Sequence, residues 1–565
     1  MDVKEIARKW ALKNAFDYGK ADVGAVVGKV IAEYPDVKKD MKLNMQIINS
    51  VVQEVNSMNR ERIEEEVSKF NFGEKKKEEK KGVNLPPHIE GKVVTRFAPE
   101  PSGYLHIGHA KACLISWQGA REQNGKFILR IDDTNPVLAK QEFVDALKED
   151  LKWLGVDWDI ECFTSDFMEM FYNYAFDLIK MGKAYVCECD GDTIKKNREE
   201  KRECPCRNKP VIKNVRDLEK MIDGGFKEGE AVLRYKGNMA ALNTVMRDPT
   251  LMRIIEERHF RQEDKYIAWP SYDFVTPILD AIQGVTHAVR SKEYELRDEL
   301  YYSLVKDFGL RQPLIVSISR LLIKNNTTQK RVIRKLVQEG VISGWDDPRL
   351  LTMKAIRRRG IQPEALREFA LSFGVSKSES KDATLEQLFH KNKQILDPIS
   401  KRLHFVKNPA IIVMDGFRTQ AVLPFHHEND LGSRNLVINE KVYVELEDIK
   451  IGEEVRLKDL CNVRIESKIS DTPYPTFRGI EIKSDHIPEK KIQWVPVDSA
   501  VKIKVERPLD LLEGDIPSKN SMQIDEGFAE EFVNNLKKGE IVQFIRYGYV
   551  IKDREEEVPV FIFTS

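Results

Sequence analysis

The segment Pro99-Glu100-Pro101-Ser102-Gly103-Tyr104-Leu105-His106-Ile107-Gly108-His109 sets two histidines on either side of a glycine. It lies where an apolar strand pattern, Lys92 to Phe97, turns through Pro99, Pro101 and Gly103 into a helical pattern, Leu105 to Gln123. Backbone N–H groups at a helix N-terminus attract phosphate oxygens. Imidazoles placed there can donate to charge developing on a phosphoryl group, and Gly108 lets a nucleotide lie against the backbone. For an isolated H-x-G-H the alternative is a histidine that only caps the helix. The strand and the RFAPEPSG run ahead of it favour phosphate chemistry.

A second constellation is Cys187-Glu188-Cys189 and, after fourteen intervening residues, Cys204-Pro205-Cys206. Four thiolates in two close pairs suit tetrahedral Zn²⁺. The C-x-C spacing is tighter than the usual C-x₂-C, and four reduced cysteines in a charged loop remain the alternative. Four sulfur ligands leave no open coordination position, so a metal there is structural. The remaining cysteines, Cys113, Cys162 and Cys461, are isolated. In a chain without a secretory signal such a cluster reads as metal ligands rather than disulfides.

The elements that must position these residues belong to a long chain. At 565 residues it is too large for one core, so about three to five domains are expected. A 41% hydrophobic and 32% charged composition describes a globular protein. Met1 to Phe16 lacks a signal-peptide core, and no run approaches the roughly 18 apolar residues of a membrane span. A cytoplasmic protein with no membrane partner is the expectation. Charge balances at 91 basic and 91 acidic residues, which neither announces nor excludes a nucleic-acid partner.

Along the chain, Val27, Val30 and Ile31, then Leu43, Ile47 and Val51, recur at helical intervals, predicting a helical unit over 1–70. Residues 71–90 read as a charged linker. Lys92–Phe97, Leu105–Gln123, Phe127–Ile131 and Gln141–Leu154 then give a β-turn-α-β order, which favours a parallel, doubly wound α/β domain. The style returns at Ala268–Ala288 after a cysteine-containing insertion, and residues 348–375 read as helical and basic. From Pro409 short strand patterns dominate (Ile411–Met414, Leu436–Ile438, Val442–Leu446, Val455–Leu457, Ile492–Val495, Val501–Val505, Ile541–Ile551, Val558–Phe563), suggesting β-barrels.

With these segments in view, the chain resembles the class I aminoacyl-tRNA synthetases of the glutamyl and glutaminyl branch. The resemblance rests on Thr95 through Ala112, DDTNP at Asp132–Pro136, DLKWLG at Asp150–Gly155, Met246-Arg247-Asp248-Pro249, WPSYDF at Trp269–Phe274, GWDDPR at Gly344–Arg349 and LGSR at Leu431–Arg434, in that order. It spans roughly residues 91 to 565. Residues 1 to 70, with ALKNA at Ala11–Ala15 and VGKVIAE at Val27–Glu33, resemble the N-terminal extension of archaeal glutamyl members.

The resemblance implies a Rossmann-type catalytic domain in two halves, 91–186 and 231–335, around an acceptor-binding insertion at 187–230. A helical stem-contact subdomain at 336–400 and anticodon-binding β-barrels at 401–565 would follow. It implies that the amino acid's carboxylate attacks the α-phosphate of ATP, with Mg²⁺ accompanying the nucleotide, and that a tRNA ribose hydroxyl then takes the acyl group. The implied ATP site is Glu100, Pro101, Ser102, His106, Ile107, Gly108, His109, Ser291, Arg320 and Leu321. His106, His109 and Lys330 would be catalytic. The family's lysine-serine loop departs from pattern here: Thr327-Thr328-Gln329-Lys330-Arg331 keeps only Lys330 at a lysine position, and a solvated helix start is its alternative reading. Positioning and charge neutralisation can carry both steps without a general base.

Arg96, Asp132 and Tyr272 would line the amino-acid pocket. The resemblance makes Arg290 the residue that would distinguish glutamate from glutamine, glutamyl members having arginine there, and a buried γ-carboxylate would need such a cationic partner; a tRNA or structural contact is its alternative. The implied partners are tRNA(Glu), ATP and L-glutamate, with the N-terminal helical unit a candidate surface for a protein partner. Arg357-Arg358-Arg359-Gly360, with Lys354 and Arg367, would contact tRNA phosphates. The competing readings are a glutaminyl enzyme, a small-molecule nucleotidyltransferase, and an inactive tRNA-binding relative.

Overall fold

A computed structural model of the chain describes residues 3–34, 37, 40–59, 62–63, 66–67, 70, 82–87, 91–377, 383–484 and 486–565. It comprises two units, Met1–Lys81 and Gly82–Ser565. The first holds helices α1 (Val3–Tyr18), α2 (Val23–Glu33) and α3 (Met41–Asn56). Asp22 caps α2 by accepting from the Ala25 N–H. Ile6, Leu12, Val26, Val30, Ile48, Val51 and Val55 form its core, while Leu43, expected inside, is 54% exposed. Most of the linker read over 71–90 lies outside the described residues.

The second unit is built on a five-stranded parallel sheet: β1 (Val94–Phe97), β2 (Lys126–Ile131), β3 (Ile160–Phe163), β8 (His287–Ser291) and β9 (Leu314–Ile318), in the order β3-β2-β1-β8-β9. Every neighbouring pair is parallel. Phe127 to Ile131 are fully buried, as a strand covered by helices on both faces requires. The order reverses between β1 and β8. At such a switch point the loops after adjacent strands part and leave a crevice at the strands' carboxyl ends. The segment 98–109 follows β1, Asp132 follows β2, Arg290 and Ser291 end β8, and Arg320 follows β9.

Between β3 and β8 runs an antiparallel sheet of β4 (Ala184–Cys187), β5 (Val232–Tyr235), β6 (Thr250–Ile254) and β7 (Ala268–Pro270). It therefore extends on both sides of residue 230, where the sequence places the end of the insertion. Past β9, the basic segment read over 348–375 is two short helices, Met353–Arg358 and Pro363–Leu371, parted at Gly360, whose φ is +83°. Two barrel-like seven-stranded sheets close the chain. One contains the long bent strands Pro409–Pro424 and Ser433–Glu445; the other contains Val501–Pro508, Met522–Ala529, Gly548–Arg554 and Val560–Phe563. Gly527 sits where an added Cβ would lie 2.1 Å from the Val406 carbonyl oxygen, so the strand crossing there admits no side chain. No helix among the described residues is long and apolar enough to cross a membrane.

Candidate active site

The helix Ile107–Arg121 begins with a reciprocal cap made by the two histidines. His106 Nδ1 accepts from the Gly108 N–H at 3.1 Å, and His109 Nδ1 accepts from the His106 N–H at 3.2 Å. The rings lie 3.7 Å apart, centroid to centroid. Because each Nδ1 is an acceptor, each neutral imidazole carries its proton on Nε2 and offers it as a donor. Burial, then the nearby Lys330 charge, lowers the His106 pKa to about 4. His109 is pushed well below its ordinary value by burial, His106 and Lys330. Both rings are neutral donors near pH 7. The cap thus leaves a donor on each ring: Nδ1 serves the helix and Nε2–H faces away from that bond.

The strand-to-helix turn is clamped from outside. Ile107 N–H donates to the Leu351 carbonyl at 3.0 Å, Met353 N–H donates to that of Leu105 at 2.9 Å, and His106 bridges to Thr352. The Thr352 hydroxyl donates to the Trp345 carbonyl. Leu351 to Met353 therefore brace the turn, and the GWDDPR run supports them through the Trp345 carbonyl, a role its sequence does not announce.

Lys330, the first residue of the helix Lys330–Gln338, reaches back across the crevice. Its Nζ donates to Ser102 Oγ at 2.6 Å, and that hydroxyl donates to Glu100 Oε2 at 2.5 Å. A Cβ on Gly103 would stand 3.1 Å from Lys330 Cε, so a side chain there would push the lysine's flexible end back by a few tenths of an ångström. Burial lowers the Lys330 pKa, and the Glu100 charge opposes that shift. At the far edge, Ser291 Oγ lies 3.3 Å from Glu293 Oε2, and Arg320 pairs with Oε1 of the same carboxylate at 3.0 Å. Leu321 is buried beside them.

The residues expected to line the amino-acid pocket are more tightly tied up. Arg96 makes a two-pronged pair with Asp280, Nε and Nη2 each at 3.0 Å, and donates from Nη1 to the Val289 carbonyl. Arg130 Nη2 joins the same carboxylate at 2.7 Å, and the Tyr301 hydroxyl donates to it. Burial alone would raise the Asp280 pKa, but Arg96 and Arg130 hold it below the ordinary carboxylate value. Arg96 still has one N–H on each terminal nitrogen to offer. Arg290 is 6% exposed and pairs with Asp298; its Nε is buried without a partner, and Tyr301 lies under its guanidinium at 5.2 Å. Asp132 lies near Glu100 and Asp133, and burial raises its pKa to about 6. The Tyr272 ring packs on Tyr294 at 5.0 Å, and Tyr272 is close enough to Arg96 to act on its charge.

Asp280, Arg130, Asp298 and Glu293 had escaped the sequence reading. The available signal was a charge at an apolar position: Asp280 in YDFVTPILDAI and Arg130 in FILRI.

The four cysteine sulfurs of Cys187, Cys189, Cys204 and Cys206 all lie within 4.8 Å of one another, so the cluster could hold a metal ion. Cys187 and Cys204 Sγ are 3.7 Å apart. Four sulfurs set tetrahedrally at roughly 2.3 Å from one ion stand about 3.8 Å apart, so the donor set fits. Arg234 Nη1, 3.8 and 3.9 Å from these two sulfurs, favours their thiolate form.

The basic helix corrects its expectation. Arg357 pairs with Glu149 and Asp150, and Arg358 with Asp553 and Asp346. Arg359 is buried. Arg357 and Arg358 tie the helix to the catalytic domain and to the barrel, so these two are not a free basic face.

A family model described as the catalytic domain of class I tRNA synthetases (E and Q) matches residues 92–398, and two models of the anti-codon binding domain of the same synthetases match 400–481 and 491–553. The chain is 42% identical over 573 residues to a glutamate--tRNA ligase of Nitrosopumilus maritimus, covering 100% of this chain and 99% of that protein. It is 38% identical over 581 residues to one of Pyrococcus furiosus, covering 99% of each. A crystal structure of a glutamate tRNA ligase from Elizabethkingia meningosepticum is similar at 20% identity and a TM-score of 0.42, over 55% of this chain and 70% of that one.

Proposed function

Since the chain belongs to the class I tRNA synthetases (E and Q), we propose that it activates L-glutamate with ATP and transfers the glutamyl group to the 3′ end of tRNA(Glu). The observation that carries the chemistry is the convergence of His106, His109 and Lys330 on the Glu100–His109 turn. It supplies two neutral N–H donors and one ammonium at a helix N-terminus, where negative charge would grow on the phosphates.

In the first step the glutamate α-carboxylate oxygen bonds to the α-phosphorus of ATP and the bond to pyrophosphate breaks. Lys330 and the two Nε2–H groups neutralise the charge that develops. In the second step a ribose hydroxyl of tRNA attacks the acyl carbon, AMP leaves, and the hydroxyl proton passes out with it. Positioning does most of the work in both. Mg²⁺ accompanies ATP and adds charge neutralisation at the phosphates. Cys187, Cys189, Cys204 and Cys206 would hold a structural Zn²⁺ and tie β4 to the Pro205–Asn208 turn. Such a protein works in the cytoplasm.

Glutamate rather than glutamine is supported by Arg290. A buried guanidinium with a vacant Nε can donate to a γ-carboxylate but has no acceptor for an amide. The test is aminoacylation with each amino acid against purified tRNA(Glu) and tRNA(Gln). Glutamate charging far above glutamine is the expected result, and a preference for glutamine overturns the assignment.

A further inference from the structure

A cavity of about 670 Å³ lies between the stem helices and the C-terminal barrel. Its lining includes Lys324, Arg359, Phe389, Arg507 and Asp510, and none of the nucleotide or amino-acid residues above. Arg359 ends the helix Met353–Arg358 and is 7% exposed. Its guanidinium rests 4.4 Å above the Phe389 ring and makes one hydrogen bond, at 3.5 Å, from Nη2 to the Pro508 carbonyl; its Nε is buried and has no partner. That bond is too long to satisfy a buried charge. Unlike Arg357 and Arg358 it has no carboxylate within ion-pair distance among the described residues.

Arg507, from the barrel strand Val501–Pro508, stacks on Phe563 at 3.8 Å and also leaves its Nε without a hydrogen bond, Asp525 being 4.0 Å away. Burial, then the neighbouring Arg507 charge, lowers the Arg359 pKa to about 9. A buried guanidinium facing another is costly unless an anion joins them. Three carboxylates also line the cavity. Asp510 accepts from Asn325 at 2.7 Å, Glu513 accepts from Ser518 at 2.6 Å, and Glu386 is exposed. None of them is paired with either arginine.

We propose that this cavity is an anion site in which Arg359, Arg507 and Lys324 bind a phosphate group. A forked guanidinium matches phosphate oxygens through parallel N–H bonds, and Lys324 at the rim adds a mobile charge. The phosphate comes either from the backbone of a bound tRNA, which rests on the function proposed above, or from free inorganic phosphate, which does not.

Inorganic phosphate is titrated calorimetrically at constant ionic strength into the full chain carrying Lys330→Ala, so that the nucleotide turn is already weakened. Binding should persist there, and adding Arg359→Gln should weaken it about tenfold or more, the size of a lost charge-assisted bond. Lys324→Ala, at an exposed position that leaves the core intact, should weaken it less; Glu386→Gln should strengthen it. Saturating tRNA separates the sources. Competition by tRNA, with a salt dependence of tRNA affinity lowered by about 0.9 in Arg359→Gln, assigns the phosphate to the nucleic acid. Phosphate binding that tRNA leaves untouched assigns it to the free ion. Titrations that coincide for Lys330→Ala with and without Arg359→Gln and Lys324→Ala, or no phosphate binding at all, overturn the site. Failure to charge tRNA with glutamate, with phosphate binding intact, removes only the proposed function.

Discussion

The two halves of the crevice are built in opposite ways. At the histidine turn the bonds that set the two rings and Ser102 are local, His106 to Gly108, His106 to His109 and Ser102 to Glu100 each joining residues two or three apart, while Lys330 and Leu351 to Met353 brace them from afar. Around Arg96 they are remote: Asp280 is 184 residues away and Val289 is 193, and Arg130 reaches the same Asp280 across 150. The turn leaves donors free by burying neutral imidazoles. The pocket keeps its cations by burying them with a carboxylate of the protein's own. The first arrangement is poised for charge that appears during a reaction, and the second for a charge that arrives with a ligand.

The comparison breaks most sharply at Asp280. Its carboxylate neutralises two buried arginines, and removing one partner of a buried pair strands the others at about 3–5 kcal/mol. Asp280→Asn should therefore lose about that much stability in urea unfolding near pH 7, with kcat/KM falling because Arg96 is no longer held. The pKa of Asp280 is lowered in the fold, so its contribution is present above the unfolded carboxylate value and lost as pH falls through the folded one. At pH 7 it is fully present. A variant as stable as the parent would show that Arg96 and Arg130 are satisfied elsewhere and that the pocket is not built around this carboxylate.

Arg290 tests whether the pocket's charge belongs to a ligand. Losing its guanidinium should cost on the order of 3 kcal/mol, about a hundredfold in specificity for glutamate over glutamine. Arg290→Leu should do this through kcat/KM for glutamate, with little change in ATP binding. Retention of the full preference would move the selecting cation elsewhere and leave the Asp298 pair purely structural. The turn should respond differently. His109→Ala should cut adenylate formation roughly 100-fold, about 2.7 kcal/mol, with a small fall in Tm from the lost helix cap and an unchanged KM for glutamate. Lys330→Ala should likewise lower kcat more than it raises KM, the pattern of an interaction made mainly in the transition state. If these losses appear in KM instead, the turn is a binding surface like the pocket, and the contrast fails.

The same distinction governs what could be read in the sequence. The H-x-G-H turn was legible because proline, glycine and the two histidines define its geometry within eleven residues. The parallel sheet was legible in β1 and β2, where short apolar runs, Val93–Val94 and Phe127–Leu129, outweigh the single buried arginine in each. Strands Asn462–Ser470, Thr476–Ile482 and Met522–Ala529 were not read, since polar and charged residues interrupt them and only some positions, such as Val463 and Ile465, face the core. Leu436–Ile438 and Val442–Leu446, read as two strands, belong largely to one, Ser433–Glu445, because Asn439 and Lys441 are both paired on either side of a bulge at Glu440. The cysteine quartet was legible because its two pairs are short. That Arg357 and Arg358 are spent on ion pairs was not, because Glu149, Asp150, Asp346 and Asp553 come from three separate segments.

The smallest effect lies where the two halves meet. Asp132 follows β2 and shares the crevice floor with Glu100. Desolvation raises its pKa to about 6; Asp133 and Glu100 add to that shift, and Arg130 and Thr134 work against it. If this carboxylate receives the ammonium of the amino acid, only its ionised form binds. The pH dependence of kcat/KM for glutamate reports the free enzyme, so it should bend near pH 6 and fall about tenfold between pH 7 and pH 5. The sign follows from the raised value: protonation on the acid side removes the binding charge, and nothing is gained above pH 7. His106, held near 4, and His109, held lower still, do not titrate in this window. Asp133 does, with a pKa also raised to about 6 by its burial beside Ser165. Asp132→Asn separates the two carboxylates and divides out any protonation of ATP. The variant should run at a uniformly low kcat/KM with the bend removed. A variant that keeps the bend assigns it to Asp133 and takes Asp132 out of the amino-acid pocket.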